Sequence, residues 1–303
     1  MEHKYITLKL GALHGVIKHY YHFFYGVLIP LIIFYDDNVQ KYNKLTLLIN
    51  DDLGPMLRLL LELPIDIKYR SDIKDNEEPY YLKPMDIHPT YQKKDLEKIK
   101  RDFGQFYTYE YKKQFNNWFI NTIKIYNLYI KPIKYYDIII IERKTNPAFS
   151  STRFFNSNDD NLDKIMSKSG SERRGILNHN ELVKFIKKKF PLNSCINISL
   201  EFIPLFEQFH LFRKAKLLIG QHGAALANMA FMKKNTQIIE IVSSVMLDAG
   251  ENWFRPISTI SKINHLQYIT NTPNVKLITD TDNATIDLDD FNNFLITNNV
   301  KIV

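Results

Sequence analysis

The run from Lys216 to Met232, Lys-Leu-Leu-Ile-Gly-Gln-His-Gly-Ala-Ala-Leu-Ala-Asn-Met-Ala-Phe-Met, holds the side chains best suited to chemistry in this 303-residue chain. It reads as a buried strand over Leu217 to Ile219, a tight turn at Gly220-Gln221-His222-Gly223, and a helix of small residues from Ala224. Such a turn opens backbone N–H groups at a helix N-terminus, where the dipole favours an anion. Gly223 and the alanines behind it let a bulky phosphorylated ligand approach the main chain. His222 stands at the mouth of the turn, placed to hydrogen-bond a phosphate or a sugar. Taken alone, a strand, Gly-x-His-Gly turn and helix is also a plain tight connection, so the flanking elements decide its meaning.

Those elements come in a definite order. An apolar strand, Ile138-Ile-Ile-Ile-Glu-Arg143, ends in an arginine. Arg174-Gly-Ile-Leu-Asn178 precedes a helix over Glu181 to Phe190. A second amphipathic helix, Ile203 to Ala215, carries Phe206-Glu207-Gln208 and leads into the turn; Thr236 to Val242 follows as another apolar strand. The set resembles the C-terminal half of glycosyltransferase family 61, whose members include β-1,2-xylosyltransferases, O-mannose β-1,4-N-acetylglucosaminyltransferases and EGF-domain O-GlcNAc transferases. The likeness covers about residues 137 to 245. In this chain the family's His-Gly-Ala-Gly-Leu-Thr-Asn turn reads His222-Gly-Ala-Ala-Leu-Ala-Asn228, with Ala225 for Gly and Ala227 for Thr.

The first half carries a weaker echo. Tyr21 to Leu31 is similar to the family's His-x-x-x-Asp-x-x-x-Pro segment, with His22 and Pro30 at the right separation. The family's Asp, a candidate base, is Gly26 here. A carboxylate is the expected group for taking a proton from an acceptor hydroxyl. Either His22, His14, Asp36 or Asp37 supplies the base, or the protein binds a sugar without transferring it.

The resemblance implies a donor site built from Arg143, Arg174, Asn178, Glu207, Gln208, Gly220, His222, Gly223 and Ala224. Arginine suits a diphosphate because its planar fork of donors never loses its charge. The implied activity is inverting transfer from a nucleotide sugar, a UDP-sugar by family likeness, to a glycan or protein acceptor. No cofactor and no metal are expected. Asp280-Thr-Asp282 and Asp287-Leu-Asp289 have the letters of a metal-binding Asp-x-Asp but lie in the C-terminal tail; Asp36-Asp37, at a strand end, is the better placed rival.

Strands alternating with helices predict an α/β fold with largely parallel sheets. Two such units, joined near Lys131-Pro132, match a GT-B-like pair of Rossmann-like lobes with a cleft between them: residues 1–131 on the acceptor side and 132–303 on the donor side. Ligands of open α/β sheets sit beyond strand C-termini, where Arg143 and the Gly220–Gly223 turn fall. In the first lobe, Leu45 to Asn50 and Ile65 to Tyr69 read as strands, and His19 to Pro30, Leu53 to Leu63 and Glu110 to Tyr129 as helices. Asp72 to Pro84 and the Ser- and Asn-rich 146–170 read as loops, the latter a mobile insertion. Past Val242 the signals fade to a helical Trp253-Phe-Arg-Pro256 and a short helix over Asp289 to Leu295.

Composition narrows the rest. Hydrophobic residues at 45 % exclude a disordered chain. The net charge of +7 suits phosphorylated ligands, although Lys187-Lys188-Lys189 reads as a solvated helix end, and no nucleic-acid module appears. A single cysteine, Cys195, precludes an internal disulfide and fits a reducing, cytoplasmic setting. No signal peptide is visible, and Tyr20 to Tyr35 is too short and interrupted to span a membrane.

Overall fold

The computed structural model describes residues 3–8, 44–49, 66–69, 80–82, 134–144, 175–203, 205–243, 254–270 and 283–302. The chain divides into two compact units, Met1–His88 with Glu110–Ile130, and Pro89–Tyr109 with Lys131–Val303.

The first unit holds a four-stranded parallel sheet in the order β3-β2-β1-β4, from β1 (His3–Leu8), β2 (Lys44–Ile49), β3 (Asp66–Tyr69) and β4 (Tyr80–Leu82). β2 falls where an apolar run predicts a buried strand, and β3 where alternation predicts one. β4 is a correction: Tyr80-Tyr81-Leu82 lies inside the stretch read as loop, yet it pairs with β1 from Ile6 to Leu8. Three residues are too few to show a period, so pairing rather than pattern defines this strand. β1 was not read as a strand either: it opens on polar His3 and Lys4, which leaves only Tyr5 to Leu8 to show a pattern.

The second unit is a five-stranded parallel sheet in the order β6-β5-β7-β8-β9. Its strands are β5 (Ile138–Ile141), β6 (Cys195–Ile198), β7 (Leu217–Gln221), β8 (Gln237–Ser243) and β9 (Asn264–Thr270). The α-helices are α1 (His179–Lys189), α2 (Leu205–Lys214), α3 (Phe254–Ile260) and α4 (Leu288–Thr297). β5 and β7 are buried along their whole length, as strands covered on both faces must be. The mixed α/β class with parallel sheets is as expected.

Strand alternation gives the sheet two unlike faces. One bears Ile138, Ile140, Leu217, Ile219, Ile239, Ile241 and Tyr268, packed dry against Leu182 and Ile186 of α1 and Phe291 and Leu295 of α4. The other bears Ile139, Ile141, Leu218, Gly220, Ile238, Glu240, His265 and Gln267 by the strand register. α3 packs on this side against β9 and against the short-pitched run Ala224–Phe231, which also meets α2. That run is 3-10 helix rather than the α-helix expected from Ala224: Leu226 N–H donates to Gly223 O and Met232 N–H to Met229 O, both at 3.0 Å. Asn228, fully buried, donates back to Ala225 O at 3.1 Å and pins the tight pitch.

β6 and β9 are further elements that periodicity did not reveal. Cys-Ile-Asn-Ile is only four residues long, and Asn-His-Leu-Gln-Tyr-Ile-Thr alternates polar with apolar too weakly for a buried strand. Among the described residues, no helix is long and apolar enough to cross a membrane.

Candidate functional site

The close approach of β5 and β7 builds the site. A Cβ on Gly220 would lie 3.3 Å from Ile141 Cβ, so a bare glycine lets the two strands draw together at their C-terminal ends. Beyond those ends, half-buried Arg143 reaches across the turn, its Nη1 donating to His222 O at 3.3 Å. Gly223 takes φ 159°, ψ 177°, and a Cβ there would stand 2.7 Å from Arg143 Nη1. The glycine therefore makes room for the guanidinium. Arg143, Gly220, His222 and Gly223, four residues singled out on sequence, meet at one corner of the sheet.

His222 is held from below. Its backbone N–H donates to Ile241 O at 2.8 Å, and the residue is 5 % exposed. Nδ1 lies 2.5 Å from Glu240 Oε1, and the Phe254 ring meets the imidazole edge-on at 5.4 Å. Glu240 is 1 % exposed, in the middle of β8. Its other oxygen accepts from His265 Nε2 at 2.9 Å and from Gln267 Nε2 at 2.8 Å. Ser258 Oγ of α3 closes the network at 3.2 Å from His265 Nδ1. Burial alone pushes the Glu240 carboxyl up. The hydrogen bonds and charges of His222 and His265 outweigh it and hold the carboxyl well below the usual carboxylate range.

Glu240, His265 and Gln267 were missed on sequence. One signal was available: a glutamate inside Gln-Ile-Ile-Glu-Ile-Val cannot be buried without partners. Their parallel register supplies them, since Glu240 lies opposite Gln267 and Ile238 opposite His265, all on one face.

Two residues expected at the donor instead clasp backbone. Asn178 donates from Nδ2 to Ile286 O at 2.8 Å and accepts from Ile286 N–H at 2.9 Å on Oδ1. With the Ile176–Ala284 bridge it docks the segment that opens α4. Gln208, 3 % exposed, donates from Nε2 to Leu200 O at 3.2 Å and Ile203 O at 2.8 Å, bracing the turn before α2. Both amides were read as ligand contacts because sequence shows a polar group and not its partner. Glu207 stands half-buried in the first turn of α2, and Ala224 opens the 3-10 run. Arg174, His14, His22, Gly26, Asp36 and Asp37 lie outside the described residues.

Among the described residues, no group of three or more His, Cys, Asp or Glu side chains is placed to hold a metal ion. Asp287 of the tail's Asp-x-Asp is a helix cap, its Oδ1 accepting from the N–H groups of Asp289 and Asp290 at 3.0 Å each.

An arginine and a glycine turn at the C-terminal edge of a parallel sheet suit a phosphorylated ligand. No curated protein matches the chain. The family model described as Glycosyltransferase 61 matches residues 20–239, well over half of the sequence. The chain thus belongs to glycosyltransferase family 61, and its activity is transfer of a glycosyl group from a donor to an acceptor.

Proposed function

We propose that the protein is an inverting glycosyltransferase that takes its sugar from a nucleotide sugar, a UDP-sugar by family likeness, and transfers it to a glycan or glycoprotein. The observation that carries this reading is the Arg143 guanidinium, seated 3.3 Å from His222 O in the space that Gly223 leaves. In such a transfer the acceptor oxygen attacks the anomeric carbon while the bond to the diphosphate breaks. Negative charge gathers on the leaving oxygens. A preorganised cation and oriented donors act on that charge, and loss of one such donor typically lowers the rate about a hundred- to a thousand-fold.

Arg143, Gly223 and the imidazole of His222 form the diphosphate cradle in this reading, with Arg174 as a further cation and Glu207 beside them. No cofactor and no metal take part. The fold is read as GT-B-like, each unit a Rossmann-like lobe with its own parallel sheet, and the setting as cytoplasmic, in keeping with the lone Cys195. The base is His22, Asp36 or Asp37.

A second reading, a sugar-nucleotide binder without turnover, is motivated by Gly26 at the position of the family's Asp. Thermal stabilisation by UDP, GDP and CMP, each with its sugar conjugates and without added metal, tests the first step. Ligand at a hundred times its Kd adds about 2.7 kcal/mol to stability. Selective stabilisation by one nucleotide, lost in Arg143→Ala, is the expected result; no stabilisation by any of them refutes the donor site. Sustained release of UDP from a donor excludes the binder.

A further inference from the structure

We propose that the edge of the second sheet opposite the Arg143 turn is a docking surface for an anionic phospholipid membrane, held by exposed lysines around an apolar apex at Leu192. The inference stands apart from the donor-site reading and gives the second unit another working surface.

The strand order brings the lysines together. Backbone hydrogen bonds stitch the N-terminal ends of the five strands into one row. Asp137 N–H donates to Ser194 O at 3.0 Å and Lys216 N–H to Asp137 O at 2.8 Å. Gln237 N–H donates to Lys216 O and Asn264 N–H to Thr236 O, both at 2.9 Å. Neighbouring strands lie about 4.8 Å apart, so the row is about 19 Å long. Every connection that enters it is basic. Lys187, Lys188 and Lys189 close α1 before β6, and Lys134 precedes β5. Lys214 and Lys216 flank the step from α2 into β7. Lys233 and Lys234 precede β8, and Lys262 precedes β9. All nine lysines are exposed. Asp137, 3.3 Å from the Lys216 ammonium, is the one carboxylate among the described residues of this edge.

The amount of charge matters. Nine lysines less Asp137 leave eight positive charges at this edge, against +7 for the whole chain. A lysine-rich composition by itself would spread its excess over the surface. Acidic side chains gather at the other end, where Glu181, Glu207 and Asp289 stand in the first turns of α1, α2 and α4. Helix dipoles favour this division where Lys187 to Lys189 and Lys214 fill last turns. They do not account for Lys134, Lys216 and Lys262, which lie outside the helices.

Apolar groups select the partner. Leu192 is 97 % exposed three residues past Lys189, and Tyr135 is 48 % exposed at the same edge. The Lys214 ammonium lies 5.3 Å from the Tyr135 ring centroid, and that of Lys134 lies 5.5 Å from the Tyr136 ring. An RNA backbone offers a lone leucine no apolar seat. A bilayer serves all three groups: ammoniums meet lipid phosphates, a tyrosine sits at the interface, and a leucine enters the acyl boundary. The negative potential of an anionic leaflet draws in each nearby lysine. A protein docked this way keeps the opposite edge, with Arg143 and Gly223, in water.

The test is co-sedimentation of the full chain with vesicles of phosphatidylcholine, alone or with about a third phosphatidylserine. Binding is expected to the anionic vesicles alone. It should fall steeply as salt rises from about 0.05 to about 0.5 M and shortens the Debye length. Each lysine near such a surface contributes roughly five-fold in affinity, so the triple variant Lys187→Gln, Lys188→Gln, Lys189→Gln should bind about a hundred-fold more weakly. Leu192→Ser should bind about ten-fold more weakly with its salt dependence unchanged. All four side chains are exposed, and urea unfolding checks that both variants fold as wild type does.

Equal binding to neutral and anionic vesicles, or binding to neither, overturns the proposal. So does vesicle binding that is unaffected in the triple variant or in Leu192→Ser. A single-stranded RNA bound more tightly than the anionic vesicles, with Leu192→Ser without effect, overturns it in favour of a polyanion. Vesicle binding is measured without UDP, so its failure and that of the donor-site reading are seen separately. Stabilisation of the triple variant by UDP should equal that of wild type; its loss would place these lysines with the donor and overturn a separate surface.

Discussion

Gly223→Ala provides a sharp test of the cradle, because its effect should pass through another residue. The new Cβ would lie 2.7 Å from Arg143 Nη1, where ordinary contact begins at 3.4 Å. Arginine is flexible, so the guanidinium yields rather than the sheet. Its bond to His222 O is already 3.3 Å long, and a retreat of several tenths of an ångström ends it. A charge-assisted hydrogen bond to phosphate contributes about 1.5 to 3 kcal/mol, so UDP should bind about ten- to a hundred-fold more weakly. Arg143→Ala should lose a similar amount. The double variant is the decisive sample: with the guanidinium gone, the methyl has nothing to displace. Its Kd should fall within about three-fold of Arg143→Ala alone, a coupling of about 1 to 3 kcal/mol. Gly223 takes φ +159°, where an alanine is strained with or without Arg143, and urea unfolding of all four proteins measures that part separately. Losses that simply multiply, or an unchanged Kd in Gly223→Ala, would refute the idea that this glycine exists to seat Arg143.

Other substitutions separate scaffold from site. Asn178→Ala removes both hydrogen bonds to Ile286 and should lower stability by about 1 to 3 kcal/mol in urea unfolding with UDP affinity intact; a large loss of affinity would restore Asn178 to the donor site. Glu240→Ala strands the donors of His222, His265 and Gln267 in a buried place, and should destabilise by about 3 to 5 kcal/mol by the same assay. For Asp137, burial raises the carboxyl, but hydrogen bonds from Ser194 and the nearby Lys216 more than offset it and leave it lowered. Its stabilisation is therefore complete above the ordinary carboxylate range and is lost as pH falls through the lowered value. Asp137→Asn should flatten the acid limb of a stability-against-pH curve without changing stability's slope near neutrality.

The parts of the fold that were legible in the sequence are those whose burial is uniform. Ile138 to Ile141 and Leu217 to Ile219 are continuous apolar runs, and both are central strands. α1 and α4 repeat their apolar residues every three to four positions because one face of each meets the dry side of the sheet. β4 and β6 are short, and β9 mixes exposed Asn264 and Ile269 with buried Tyr268 and Thr270. Their identity comes from the neighbouring strand, information that no local window contains. The site divides the same way. Arg143, His222 and Gly223 stood out by type and position at strand ends. Glu240 and His265 are 25 residues apart and become neighbours only through the register of β8 and β9. Asn178 and Gln208 were expected as ligand contacts, and each holds a backbone partner that no local window contains.

The two faces of the second sheet raise a question that stability alone does not answer. One face packs Ile138, Ile140, Leu217, Ile219, Ile239 and Ile241 against α1 and α4, while the other holds the buried carboxylate of Glu240 among His222, His265 and Gln267. Replacing a buried ionic cluster by hydrophobic residues of similar volume is often neutral or stabilises by about 1 to 4 kcal/mol. A leucine at each of positions 240, 265 and 267 would continue the apolar pattern of the strands. If the cluster is there to hold His222 for the donor, the triple variant Glu240→Leu, His265→Leu, Gln267→Leu should match or exceed wild-type stability in urea. His222 Nδ1 and Ser258 Oγ would each lose a partner. The variant's UDP affinity should fall about ten- to a hundred-fold. Marked destabilisation with UDP affinity retained would assign the cluster to folding and remove it from the site. A carboxylate at 1 % exposure in the middle of a strand is weak evidence for stability and is expected where a sheet serves chemistry.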